Sequence, residues 1–424
     1  MPEPLEGYTV VELAVAVQGP AAALYLRDMG AEVIKVEPPL GDPSRHGRGK
    51  NNGTPESTLG PQFVAVNRGK RSVCLDLTTD LGSQALLGLL ANADVLLTNY
   101  RVPALVKLGL DYATLHAKFP ELIHATVSGF GPKGEDADKA MLDGAAVARG
   151  GLSSVTGSPD APPGLPGAAS GDTAGAMQLA LAVVTALLAR ERHGGGQQVM
   201  TSALGTQLWL QQWELTHASM TGHVMQRDGS HHPNLRGPYG VYATADGGAI
   251  MLATTMELDN WDAFCAFADA PELAFDPRLQ TPGQRLGDGM TDEDSAEIRA
   301  RLEVAFAQKT VLEWDEFLRT QPEIIWERVR SYDEVLVDPQ SIANNYITEV
   351  DVPGVRTCKT VGNLVRLSET PGSVKGDPPE LGEANTDYFT AIGLEAEQIE
   401  EIQSRVSRVR EEALALLAAA TIRN

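Results

Sequence analysis

The chain of 424 residues is 43% hydrophobic and 21% charged, enough apolar material for two or more packed domains. Its formal net charge of −22 argues against nucleic acid as a partner. Cys74, Cys265 and Cys358 stand far apart with no Cys/His ligand spacing, so neither a disulfide framework nor a metal site is expected. The acidic start, Met1 to Gly7, is unlike a signal peptide, and the longest apolar run meets Arg190 before membrane length. A cytoplasmic protein with no membrane partner is the expectation. Residues 1–120 carry eleven basic and twelve acidic side chains, against 23 and 44 in the remainder, so the amino-terminal part is the better place for an anionic ligand.

Tyr8 to Ala14 reads as a strand, Gly19-Pro20 opens a helix reaching Met29, and Ala31 to Glu37 is the next strand. The turn between them, Ala16-Val17-Gln18-Gly19-Pro20, has one glycine where a dinucleotide fingerprint needs three. The β-α-β fold is kept and the nicotinamide cofactor dropped. Asp42 to Gly60 is rich in Gly, Asn and Pro and reads as a surface loop. Phe63 to Arg71 leads into a strand at Ser72–Asp76. Arg68, Lys70 and Arg71 cluster around Gly69 at its edge, a solvated turn or an anion contact. Asp94–Thr98 is a strand that delivers Asn99, Tyr100 and Arg101 at its carboxyl end, where open α/β sheets hold ligands. With the further strand Leu122–Ser128, the repeats predict an α/β fold with a Rossmann-like doubly wound sheet.

A loose Gly/Pro/Ser segment, 153–170, then meets Gly171-Asp172-Thr173-Ala174-Gly175 and a helix apolar on nearly every face, which predicts burial. Asp172 falls where an N-cap belongs. Capping is the ordinary role there. The alternative is a nucleophilic carboxylate kept ionised by the helix terminus. His193-Gly-Gly-Gly lacks the Lys-Ser/Thr of a phosphate loop and reads as a helix-to-strand turn. Trp209 and Trp213 are four apart on a predicted helix, a spacing suited to core or interface. Residues 222–236 read as a linker; adjacent His231 and His232 face opposite ways and are not read as metal ligands. A second, smaller α+β domain follows over 237–340, with a hairpin at Asp246-Gly-Gly, a strand at Ile250 and helical stretches including Trp314–Arg330. Strands near Ile347 and Leu364 and an acidic helix from Glu395 finish the chain.

Several segments together resemble family III CoA-transferases, the CaiB–BaiF group that includes formyl-CoA transferase and the methylacyl-CoA racemases. They are Gly30–Glu37, Gly41–Arg45, Asn67–Ser72, Asp94–Arg101, Leu108–Tyr112, Val127–Pro132, Gly171-Asp-Thr, Pro379–Glu383 and Ile392-Gly-Leu, in one order from end to end. The resemblance implies that Asp172 is a nucleophile moving CoA from an acyl-CoA thioester to a free carboxylic acid through an aspartyl anhydride and an aspartyl-CoA thioester. It places CoA contacts at Gln18, at the Asn67, Arg68, Gly69 and Lys70 turn, at Asn99, Tyr100 and Arg101, at Lys107 and at Leu142. Coenzyme A enters as co-substrate, with no metal or other cofactor. The family further implies a large CoA-binding domain over 1–221, a return of residues 341–424 onto it, and a homodimer of interlocked chains. The racemase branch carries a proton-shuttling His where this chain has Leu142, which cannot move a proton, so transfer is favoured over epimerisation. A CoA-thioester-binding protein without turnover is the reading from another class.

Overall fold

The computed structural model describes residues 1–46, 59–253, 258–352 and 357–421; most of the expected surface loop, 47–58, lies outside them. The chain divides into two compact units, one of residues 1–149, 168–210 and 336–424, the other of 150–167 and 211–335. The predicted linker, 222–236, falls inside the second.

In the first unit the strands are β1 Thr9–Leu13, β2 Glu32–Glu37, β3 Arg71–Cys74, β4 Val95–Thr98, β5 Ile123–Ser128 and β6 Gln198–Ser202. The helices are α1 Gln18–Asp28, α2 Pro61–Asn67, α3 Asp80–Leu90, α4 Val102–Leu108, α5 Tyr112–Lys118, α6 Asp143–Arg149, α7 Ser170–His193 and α8 Ala203–Leu210. The six strands form one parallel sheet in the order β3-β2-β1-β4-β5-β6. Central strands are rich in Val, Ile and Leu because both faces of the sheet are covered, and the buried Glu12 and Lys35 among them are paired with each other. Val10, Val33, Val95 and Ile123 pack with Leu26 of α1 and Leu179 and Val183 of α7. On the other face Val11, Ile34 and Leu96 meet Leu86, Leu115 and, from the end of the chain, Phe389 and Ile402. The order reverses between β1 and β4, which opens a crevice at their carboxyl ends.

The stretch leading into β3, for which no element is predicted from the sequence, is helical. Residues 61–67 form α2, because Pro61 at its first position has no amide to leave unsatisfied and a pre-set φ. The helix after Asp172 departs from the expectation. It is long and apolar enough to cross a membrane by length and composition, yet Gly175, Ala176, Leu179, Ala180, Val183, Ala186 and Leu187 are buried in the core. Met177, Leu181, Thr185 and Leu188 form an exposed stripe at helical spacing. Burial on nearly every face was the wrong reading.

The second unit has an antiparallel sheet of β7 Gly240–Ala243, β8 Ala249–Ala253 and β9 Ile325–Arg328. Its core stacks Tyr242, Trp261, Phe264, Phe306 and Trp314. Trp314–Arg330 is not one helix. A capping box of Thr310 and Glu313 starts the helix Val311–Leu318, and residues 325–328 then pair with β8. Trp209 and Trp213 do not share a helix either, because Gln211 leaves helical backbone angles between α8 and the helix Gln212–Thr221; both rings are exposed. Back in the first unit, Ile347–Val350 pairs antiparallel with Cys358–Val361, and a helix runs from Ala396 to Thr421.

Candidate active site

A cavity of about 570 Å³ lies in the first unit at the point where the strand order reverses. Its wall includes the β1–α1 turn (Val15 to Gln18), the β4–α4 turn (Asn99 to Val102), residues 137–142 and Asp172. Asp172 therefore shares a cavity with both turns that follow the central strands.

The β1–α1 turn is held from below by charge. Glu12 on β1 stands opposite Lys35 on β2, and both are fully buried. Lys35 Nζ reaches Glu12 at 2.7 Å, Asp42 at 2.9 Å and the Ala14 carbonyl at 3.0 Å. Asp42 in turn accepts from the Ala16 amide, and the Asn99 side chain both accepts from and donates to the Val15 backbone. These bonds fix Ala16 in a left-handed conformation (φ +66°), sparsely populated for a residue bearing Cβ. Asn99 thus serves the cavity by shaping its floor.

The head of α7 is built by two glycines. Asp172 is the third residue of that helix and not its N-cap; Ala169 occupies the cap position. The amides of Gly171 and Asp172 donate to Asp143 Oδ1 at 2.7 and 3.0 Å. A Cβ on Gly171 would stand 3.0 Å from that oxygen, so glycine lets the carboxylate approach. One turn on, a Cβ at Gly175 would overlap Gln18 Nε2; glycine there seats the buried Gln18 side chain, whose Nε2 has no hydrogen-bond partner among the described residues. Asp172 is half-buried, and among the described residues nothing donates to its carboxylate. Burial, then the neighbouring Asp143 charge, pushes its pKa up to about 6. The helix terminus expected to hold it well ionised spends its amides on Asp143 instead.

Gln18, Asn99, Tyr100, Arg101 and Leu142 line the same cavity as Asp172. Leu142 is 80% exposed at its rim. Lys107 is exposed in the last turn of α4 and does not line it. The Asn67–Lys70 turn faces inward. Arg68 makes a two-pronged pair with Asp28 at 2.5 and 2.7 Å, and Lys70 Nζ meets Glu12, the Pro20 carbonyl and Asn67 Oδ1. Gly69 abuts the backbone of Lys375 and donates to Asp377. The cations anticipated as an anion contact are therefore all paired: Arg68 and Lys70 in the interior, and exposed Arg71 with Asp387 and Glu383. His124 sits in the cavity wall on β5, its Nε2–H donating to Leu110; burial lowers its pKa, so it is neutral. The residue that sequence reading passed over is Asp143. Its signal was a glycine in the first turn of a helix, at 171, with no turn to make.

Comparison with known proteins agrees with this architecture. The model of CoA-transferase family III matches residues 5–385. Succinyl-CoA–D-citramalate CoA-transferase of Chloroflexus aurantiacus is 35% identical over 410 residues, covering 95% of this chain and 98% of that one. Succinyl-CoA:mesaconate CoA-transferase of Haloarcula marismortui is 31% identical over 396 residues, covering 92% and 97%. The crystal structure of a CAIB/BAIF family protein from Brucella suis superposes with a TM-score of 0.80 at 28% identity, covering 92% of this chain and all of that one. With its parallel sheet, its reversal point and this match over nearly its whole length, the chain belongs to CoA-transferase family III.

Proposed function

We propose that the protein transfers CoA from an acyl-CoA thioester to a free carboxylic acid with Asp172 as the nucleophile. The observation that carries this reading is a carboxylate at a cavity on the reversal point, unbonded and with its basicity raised. An Asp172 oxygen attacks the thioester carbonyl carbon, the C–S bond breaks, and a mixed anhydride and CoA thiolate form. The thiolate attacks the Asp172 acyl carbon, releasing the first acid as its carboxylate and leaving aspartyl-CoA. The incoming carboxylate attacks that thioester, giving a second anhydride and thiolate. Attack of the thiolate on the new acyl carbon yields the product thioester and restores Asp172. No proton or water is consumed overall, which suits a nucleophile ionised at neutral pH.

Gln18, Tyr100, Arg101 and Leu142 are the residues assigned to CoA, with Arg101 meeting phosphate and Tyr100 offering an apolar ring. Both enzymes compared above take succinyl-CoA by name, and D-citramalate and mesaconate are the acids in those names. Dicarboxylic acids and their CoA thioesters are the substrate class proposed here. The exposed stripe on α7, Met177, Leu181 and Leu188, supports a homodimer, since a monomer seldom leaves such a row in water. The deciding experiment incubates the protein with succinyl-CoA and unlabelled C5 dicarboxylic acids, follows new thioesters by mass spectrometry, and traps the intermediate with hydroxylamine. Transfer with an adduct on Asp172, both lost in Asp172→Ala, is the expected result. Full transfer by the alanine variant would overturn the assignment.

A further inference from the structure

The head of a 24-residue helix leaves amide donors that need acceptors. An acidic side chain in the first turn ordinarily folds back to take them, as in a capping box. In α7 that arrangement is pre-empted. The Ala169 side chain cannot accept, and Asp143, from 28 and 29 residues earlier in the chain, accepts both the Gly171 and Asp172 amides. Gly171 keeps the approach open. Two carboxylates thus stand at one helix end with different tasks: one bonded to the backbone, the other left facing the cavity.

We propose that Asp143 is a positioning residue for the nucleophile: by taking the Gly171 and Asp172 amides it keeps the Asp172 carboxylate off its own helix end and directed at the cavity, and its charge favours the acylated over the free carboxylate. This rests on the CoA-transfer reading above. The electrostatic part follows from charge alone. Acylation turns the Asp172 carboxylate into a neutral anhydride or thioester, so repulsion from Asp143 is present before attack and relieved after it. Arg101, Asp111, Tyr112, His124, Asp138 and Lys139 also line the cavity, but Asp143 is the charge that acts on Asp172; Gln18 from α1, whose side chain packs on Gly175 of this helix, is neutral. Burial is the larger cause of the raised basicity and Asp143 the second.

Two substitutions separate the parts. Asp143→Asn keeps an oxygen able to accept both amides and removes the charge. Asp143→Ala removes both. For the asparagine variant, the acid limb of kcat against pH moves down by about half to one pH unit, with KM for the acyl-CoA nearly unchanged. For the alanine variant, kcat falls by roughly tenfold or more, as expected of a displaced nucleophile, and hydroxylamine trapping falls with it. Carboxyl ¹³C NMR titration of Asp172, assigned with Asp172→Asn, reads the same shift without turnover. A protein that transfers nothing would sink the reading above and leave this titration to decide the present one. If Asp143→Asn leaves the Asp172 titration where it was, or Asp143→Ala folds and keeps wild-type kcat, Asp143 is only a cap. If the alanine variant does not fold, the asparagine titration alone decides.

Discussion

Replacing Asp172 by asparagine is expected to make the protein more stable. The native pKa of Asp172 is raised from 3.8 to about 6, first by burial and then by Asp143. A carboxyl raised on folding binds more protons native than unfolded between those two values, so stability falls as pH rises through that window. The shift corresponds to about 3 kcal/mol if taken whole, and solvent reaching this half-buried group reduces it to about 1.5 kcal/mol. Asparagine keeps the shape and the amide contacts of Asp143 and has no charge to lose. Urea unfolding at pH 8 should therefore show Asp172→Asn more stable by about 1–2 kcal/mol, with roughly half that gain at pH 5 and none below pH 4. The same variant should be inactive, which is the usual trade between an active site and stability. An asparagine variant no more stable than wild type at pH 8 would refute the claim that the carboxylate is held at a cost beside a second charge.

Three further outcomes follow from the geometry. Gly175→Ala places a methyl where the Gln18 amide lies; the flexible end of Gln18 moves, so transfer should fall about tenfold while stability changes by less than about 1 kcal/mol, checked by kinetics beside thermal melting. Lys35→Met leaves Glu12 and Asp42 short of a buried partner and should cost about 3–5 kcal/mol in urea unfolding, whereas the exposed pair Arg319–Asp315 can be broken for less than about 1 kcal/mol. Leu181→Glu puts a charge in the exposed stripe of α7 and should shift light-scattering mass from a dimer to a monomer; an unchanged mass would remove the stripe from the interface.

What could be read before any coordinates was what local pattern dictates. The strands at 9–13, 32–37, 95–98 and 123–128 are rich in Val, Ile and Leu and closed by polar turns, and the order of β and α segments implied a parallel doubly wound sheet. Asp172 was legible as the residue joining a loose segment to a rigid helix. Partners distant in sequence were not legible. Asp28 is 40 residues before Arg68 and Glu12 is 58 before Lys70, so a turn that looks cationic by composition is neutralised from within. The cap on α7 comes from Asp143 for the same reason. The exposed side of α7 was missed because an apolar helix pattern cannot tell a domain core from a surface stripe. Near the end, 325–328 became a strand because β8 offered an open edge, an effect of neighbours and not of propensity.

Strand β3 is one of the two edges of the six-stranded sheet, and its free side is closed by a segment made some 300 residues later. Gly382 and Ala384 donate to Ser72, Asn385 accepts from Cys74, and Asp377 accepts from Gly69. During synthesis the ribosome must complete an entire second unit before this border can be sealed. Until then the nascent sheet offers a row of unsatisfied amides and carbonyls to any passing strand. A chain stopped short of residue 377 would lack the partners that residues 69–74 bond to and would leave that edge unpaired.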